Sequence, residues 1–182
     1  MHTNLFLISV ILFFTGLAHA VAQPLPENMK VIGQAELKVL WFSVYNARLE
    51  SDDGMFDATF NSSLSSASDS IKPLLLTLNY QRDISQQRLL DETQEQWQRA
   101  QVNADDQKRW LASLADLWPD IRNQDSLSFY QDADGHGHFY CNGVYLGAIK
   151  DKHFSRAFLN IWLADNSAFP RFTQQLTGRL TE

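Results

Sequence analysis

The segment GQAELKVLWFSVYNARLE, residues 33–50, limits what this chain can become more than any other stretch. Its odd positions are Ala35, Leu37, Val39, Trp41, Ser43, Tyr45, Ala47 and Leu49; its even positions open with Glu36 and Lys38 and close with Asn46, Arg48 and Glu50. Side chains alternate across a strand, so period two predicts a long β-strand with one buried face. In its middle Leu40, Phe42 and Val44 make the second face apolar as well. That centre is expected to be covered on both sides, with a helix layer on one of them.

The chain has 182 residues. It opens with LFLISVILFFTGL (Leu5–Leu17), an apolar run too short and wrongly flanked for a membrane span, followed by the small-x-small triplets AHA and AVA. This predicts a cleaved signal peptide over residues 1–22 and a periplasmic protein, although no Lys or Arg precedes the apolar run. No cysteine lies near the cleavage region, which argues against a lipoprotein. About 160 residues remain, the size of a single domain (residues 23–182) with a real core. The formal charge of −6 resides wholly in that part, because the leader carries no Asp, Glu, Lys or Arg. An acidic domain without basic clusters argues against nucleic acid and anionic membrane surfaces. It suits a small neutral or apolar ligand, or a protein partner. Cys141 is the only cysteine, so no internal disulfide is available; it is read as a buried thiol on a strand.

The remaining elements follow from turn and cap chemistry. Gln23–Asn28 is a polar, Pro-containing lead-in; Ser51–Phe60 turns and starts a second strand; the Ser-rich Asn61–Ser70 reads as a mobile loop. Ile71–Tyr80 is a strand with Leu74, Leu76, Leu78 and Tyr80 on one face, and Pro73 suits an edge or first position. Two helices come next. Ser85 caps the first, with Leu89, Thr93, Trp97 and Ala100 at helical spacing. Asn103 and Asp106 open the second, whose stripe is Trp110, Leu111, Leu114, Leu117 and Trp118, stopped by Pro119. Three short strands, Asp125–Gln131, His136–Asn142 and Val144–Ile149, form a meander. Asp151 caps a helix with Phe154, Ala157, Phe158, Ile161 and Trp162 on one side, and a last short helix has Pro170 in its first turn and Gly178 at its end. Helices segregated to one side of an antiparallel sheet make the fold class α+β.

QDADGHGHFYCNG (Gln131–Gly143) concentrates groups that could bind a metal. As a calcium loop it fails: with Gly135 at position six, Tyr130 and Cys141 fall where hard oxygen ligands belong. As a zinc site it offers His136 and His138 on one strand face, Cys141 on the other, and His153 as the only further histidine after the leader. The reading adopted is no metal: a DADG turn followed by an exposed polar strand edge. In NYQRDISQQ, Arg82 or Asp83 could face a ligand. The reading adopted is local: Asp83 and Ser85 satisfy the helix N-terminus while Arg82 pairs with a nearby acid. No nucleophile motif and no Gly-rich phosphate loop is present, no cofactor is indicated, and the tryptophans sit on core stripes.

Four segments taken together are similar to the bacterial exported branch of the chalcone isomerase-like family: GQAELKVLWFSVYNARL, LTLNYQRDIS, FYQDADGHGHFYCNGVYLGAI and FSRAFLNIWLAD. The resemblance implies an open-faced β-sandwich, a curved antiparallel sheet with helices packed on one side. It also implies a cleft between the two layers that takes a chalcone or a fatty acid. The family's isomerases use an Arg on the first long strand, a Thr within that strand, a Tyr and an Asn on the helical side, and a hydroxyl on a late helix. In this sequence Ala35 falls at the Arg, Tyr45 at the Thr, Ile161 near the late hydroxyl and Asn103 around the Tyr, so no catalytic residue carries over. The expectation is a non-catalytic domain that binds a small apolar, fatty-acid-like ligand or a protein in this cleft, with Tyr45, Arg48, Tyr80 and Arg82 at its rim. The alternatives are an isomerase or lyase with a different proton-transfer set, and a structural partner in an envelope complex.

Overall fold

The computed structural model describes residues 24–39, 42–57, 60 and 71–180. The leader, Leu40, Trp41 and the Ser-rich loop lie outside them, as do the side chains of Val39 and Phe42. Six strands form one antiparallel sheet in sequence order: β1 (Lys30–Val39), β2 (Phe42–Ser51), β3 (Leu74–Tyr80), β4 (Ser126–Gln131), β5 (Gly137–Cys141) and β6 (Val144–Ile149). Helices α1 (Gln86–Arg99) and α2 (Ala104–Leu117) are inserted between β3 and β4; α3 (Lys152–Leu163) and α4 (Pro170–Leu176) follow β6. The fold is α+β, as expected.

The alternating segment is not one strand. It is the hairpin β1–β2, with Val39 opposite Phe42 and a register shift between Leu37 and Lys38. Length explains the difference. A single strand over residues 33–50 would run ~60 Å at about 3.3 Å per residue, whereas a domain of this size is about 40 Å across. Leu37 lies opposite Tyr45 and Ala35 opposite Ala47, and these odd positions of both strands face the core; nearer the tip the register shift pairs Lys38 with Ser43 and Val39 with Phe42. Across the sheet Leu49, Leu76, Phe129 and Phe139 continue one buried row. Among the described residues Ser51–Phe60 forms no named strand after Ser51; it turns through Gly54.

The helices cover that face because each carries an apolar stripe. Trp97 of α1 is fully buried, edge-on to Trp110 of α2 and Phe154 of α3, and donates its indole N–H to the Ala157 carbonyl at 3.1 Å. The caps are those the sequence marks. Ser85 Oγ accepts from Arg88 N, Asn103 Oδ1 from Asp105 N and Asp106 N, and Asp151 Oδ1 from His153 N and Phe154 N. Ala100, placed on the α1 stripe by spacing, instead caps its C-terminus and is exposed. Asp151 Oδ2 also accepts from Trp110 Nε1 at 3.0 Å and Arg109 at 3.2 Å, which ties α2 to the start of α3.

Candidate functional site

The sheet and helices do not close completely. A cavity of about 810 Å³ lies between β1–β4 and helices α1 and α3. Strand parity supplies one wall: Leu37, Tyr45, Leu78, Tyr80 and Leu127 all point to the helical side. The opposite wall comes from Leu89 and Thr93 of α1, Trp118 beyond α2, and Phe158, Ile161 and Trp162 of α3. Arg82, Asp83, Ser85, Arg88 and Glu95 line the mouth and are exposed.

The buried polar groups of this cavity are uncharged. The Tyr45 hydroxyl accepts the Trp162 indole N–H at 2.8 Å, and its ring stands edge-on to Tyr80 at 5.5 Å and to Phe172 at 6.1 Å. Burial pushes the Tyr45 hydroxyl up to about 12; the Trp162 hydrogen bond opposes the shift and the Glu92 charge adds to it. Burial also raises Tyr80, with Tyr45 reinforcing the effect. Both phenols therefore remain protonated at neutral pH. Thr93 Oγ1 donates to the Leu89 carbonyl at 2.8 Å. At the mouth Arg88 pairs with Glu92 at 2.5 Å, and Glu95 pairs with Arg99.

Three of the four rim candidates, Tyr45, Tyr80 and Arg82, come together at this cavity. Arg48 does not. It lies three residues from Tyr45 on the same strand, hence on the opposite face, beside Gln34, Glu36 and Asn46, with Nη2 2.8 Å from Glu50 Oε1. At the junction after β3, Ser85 caps α1, but Asp83 accepts the Asn123 N–H at 2.8 Å and Asp120 takes the Gln86 N–H. The expectation that Asp83 serves the helix end is thus corrected. So is a local ion pair for Arg82, which makes none among the described residues. Trp118, Phe158, Ile161 and Trp162 appear in the sequence only as core stripes. Periodicity shows that a helix face is apolar, not that the sheet opposite leaves a gap.

The polar stretch after β4 has another role. Asp132 Oδ1 accepts from Asp134 N and His136 N, and Oδ2 lies 2.8 Å from His138 Nε2. Burial by itself would raise the Asp132 carboxyl; the His138 contact and the His136 N–H outweigh it and hold the carboxyl below the usual range. Asp132, Asp134 and His136 bring possible ligand atoms within 4.8 Å of one another, but this closeness follows from the turn that Asp132 closes. The exposed polar edge expected here is corrected: β5 lies between β4 and β6, and His138, Phe139 and Tyr140 are buried. Asn142 and Gly143, with φ of 50° and 77°, make the tight turn into β6. Cys141 is half-buried against the core rather than fully enclosed.

A family model described as chalcone isomerase-like matches residues 28–178. An uncharacterized protein of Haemophilus influenzae is 28% identical over 172 residues, covering 94% of this chain and 76% of that protein. Among solved structures, a fatty-acid binding protein of Arabidopsis thaliana superposes with a TM-score of 0.65 at 11% identity, over 86% of this chain and 90% of that one. At that identity the likeness concerns the fold.

Proposed function

The chain belongs to the chalcone isomerase-like family, and from that membership we propose that it is an exported, non-catalytic binding protein that holds a small apolar ligand in the cavity between sheet and helices. The cavity itself carries the reading. Its volume of about 810 Å³ lies within the range of about 300–1,000 Å³ usual for small-molecule sites. Its walls are apolar with a few polar residues, Tyr45, Tyr80 and Thr93 inside and Arg82 at the mouth. The fold shared with a fatty-acid binding protein supports a ligand of acyl-chain character.

Two features support a role without catalysis. General acid–base chemistry works best with a group whose pKa lies near the working pH; Tyr45, at about 12, and the still more deeply buried Tyr80 are held far from it. The family resemblance puts Ala35 at the isomerases' arginine, and its methyl group cannot stabilise an enolate. Native mass spectrometry of the protein recovered from its own export pathway tests the reading. The expected result is an adduct that organic solvent releases. Re-adding a ligand at 100 times its Kd should stabilise the emptied protein by about 2.7 kcal/mol. Protein that carries nothing, and whose melting temperature responds to no fatty acid, ester or alcohol, would sink the idea.

A further inference from the structure

The charged residues that line the cavity all sit toward its mouth. Arg82, Asp83, Arg88 and Glu95 are exposed and Glu92 is half-buried; none of them is buried. Deeper in, the Tyr45 hydroxyl already accepts the Trp162 indole N–H, and Thr93 already donates to the Leu89 carbonyl. An ionised group carried that far would meet no countercharge, and an unpaired buried charge is strongly disfavoured. The charge of a charged ligand therefore stays at the mouth.

The charges at the mouth are not equally committed. Arg88 pairs with Glu92, Glu95 pairs with Arg99, and Asp83 accepts the Asn123 N–H. The Arg82 guanidinium has no acid partner among the described residues. A guanidinium offers a planar fork of N–H donors that matches a carboxylate or a phosphate. Phe169, 40% exposed, lines the same cavity. The opening thus combines a free cation with an apolar ring, the polarity of the junction between an anionic head and an apolar chain.

Resting on the ligand-binding reading above, we propose that the cavity takes an anionic amphiphile tail first, with its carboxylate or phosphate head left at the mouth on the Arg82 guanidinium. The tail supplies most of the affinity through apolar burial. Arg82 sets the orientation and favours an anionic head over a neutral one.

The test titrates delipidated protein with laurate, dodecyl phosphate and 1-dodecanol, all below micelle formation, and follows tryptophan fluorescence, since Trp118 and Trp162 line the cavity. Arg82→Ala weakens the anions about 3- to 10-fold and leaves dodecanol unchanged. Arg82→Lys recovers part of the loss, because the charge returns without the fork. A loss confined to laurate assigns a carboxylate head, and one confined to dodecyl phosphate a phosphate head. In the unaltered protein, salt at about 0.5 M weakens the anions relative to dodecanol, as screening requires of an exposed pair; this arm stands even if a variant folds poorly. Anion binding that Arg82→Ala leaves unchanged, an equal loss for dodecanol, or no salt effect would overturn the proposal. Failure of all three probes to bind would instead remove the ligand-binding reading beneath it.

Discussion

Single aspartates organise several of the turns in this protein, and Asp53 is the most strongly perturbed of them. Its carboxylate lies 2.6 Å from Lys72 Nζ and accepts the Met55 N–H at 2.8 Å and the Ser51 hydroxyl at 2.9 Å. The Lys72 contact, with the Met55 N–H behind it, draws its pKa down to about 2. The unfolded value is about 3.9, so the folded state gains stability from this carboxylate above that pH. The gain is lost as the pH falls through about 2. Asp53→Asn should lower the melting temperature at pH 7 and converge with the parent near pH 2; parallel curves across the whole range would refute the assignment. Side chains of this kind were partly legible. Ser85, Asn103 and Asp151 announce themselves as caps because short polar side chains before an apolar stripe satisfy free backbone N–H groups. The partner of Asp83 was not legible, since Asn123 reaches it only through the tertiary fold.

At the scale of elements, α4 depends on the absence of a side chain. A Cβ on Gly33 would lie 2.2 Å from the Gln175 carbonyl oxygen and 2.6 Å from that of Leu176. The C-terminal end of α4 thus packs directly onto the backbone of β1. Gly33→Ala should push α4 off the sheet and cost at least about 1–3 kcal/mol, as overpacking does. Urea unfolding would measure the loss, and faster proteolysis near the C-terminus would locate it; unchanged stability would mean that α4 does not dock this tightly. Both α4 and the β4–β6 meander were visible in the sequence, through Pro170, Gly178 and the Asn142–Gly143 turn. The β1–β2 reversal was not, because it falls within an apolar run without Gly, Pro, Asn or Asp. Alternation along each strand is the same whether or not the chain reverses between them, so period two by itself does not mark a hairpin.

For the whole molecule, the export proposal gives a covalent prediction. Protein recovered from the periplasm should begin at Val21 or Gln23, after one of the two small-x-small triplets, as intact-mass measurement would reveal; a full-length mass in that fraction would contradict cleavage. By itself the sequence determined the fold class, the four helices with their principal caps, the meander and the core-facing residues Leu74, Leu76, Leu78 and Tyr80 of β3. These are local properties, set by propensity, alternation and capping within a few residues. Only the tertiary structure decided that the segment over residues 33–50 folds back on itself, and that Tyr45, Tyr80 and Arg82 meet at one cavity while Arg48 faces away. A cavity is the space that two layers fail to fill, and its size depends on how side chains distant in sequence pack against one another.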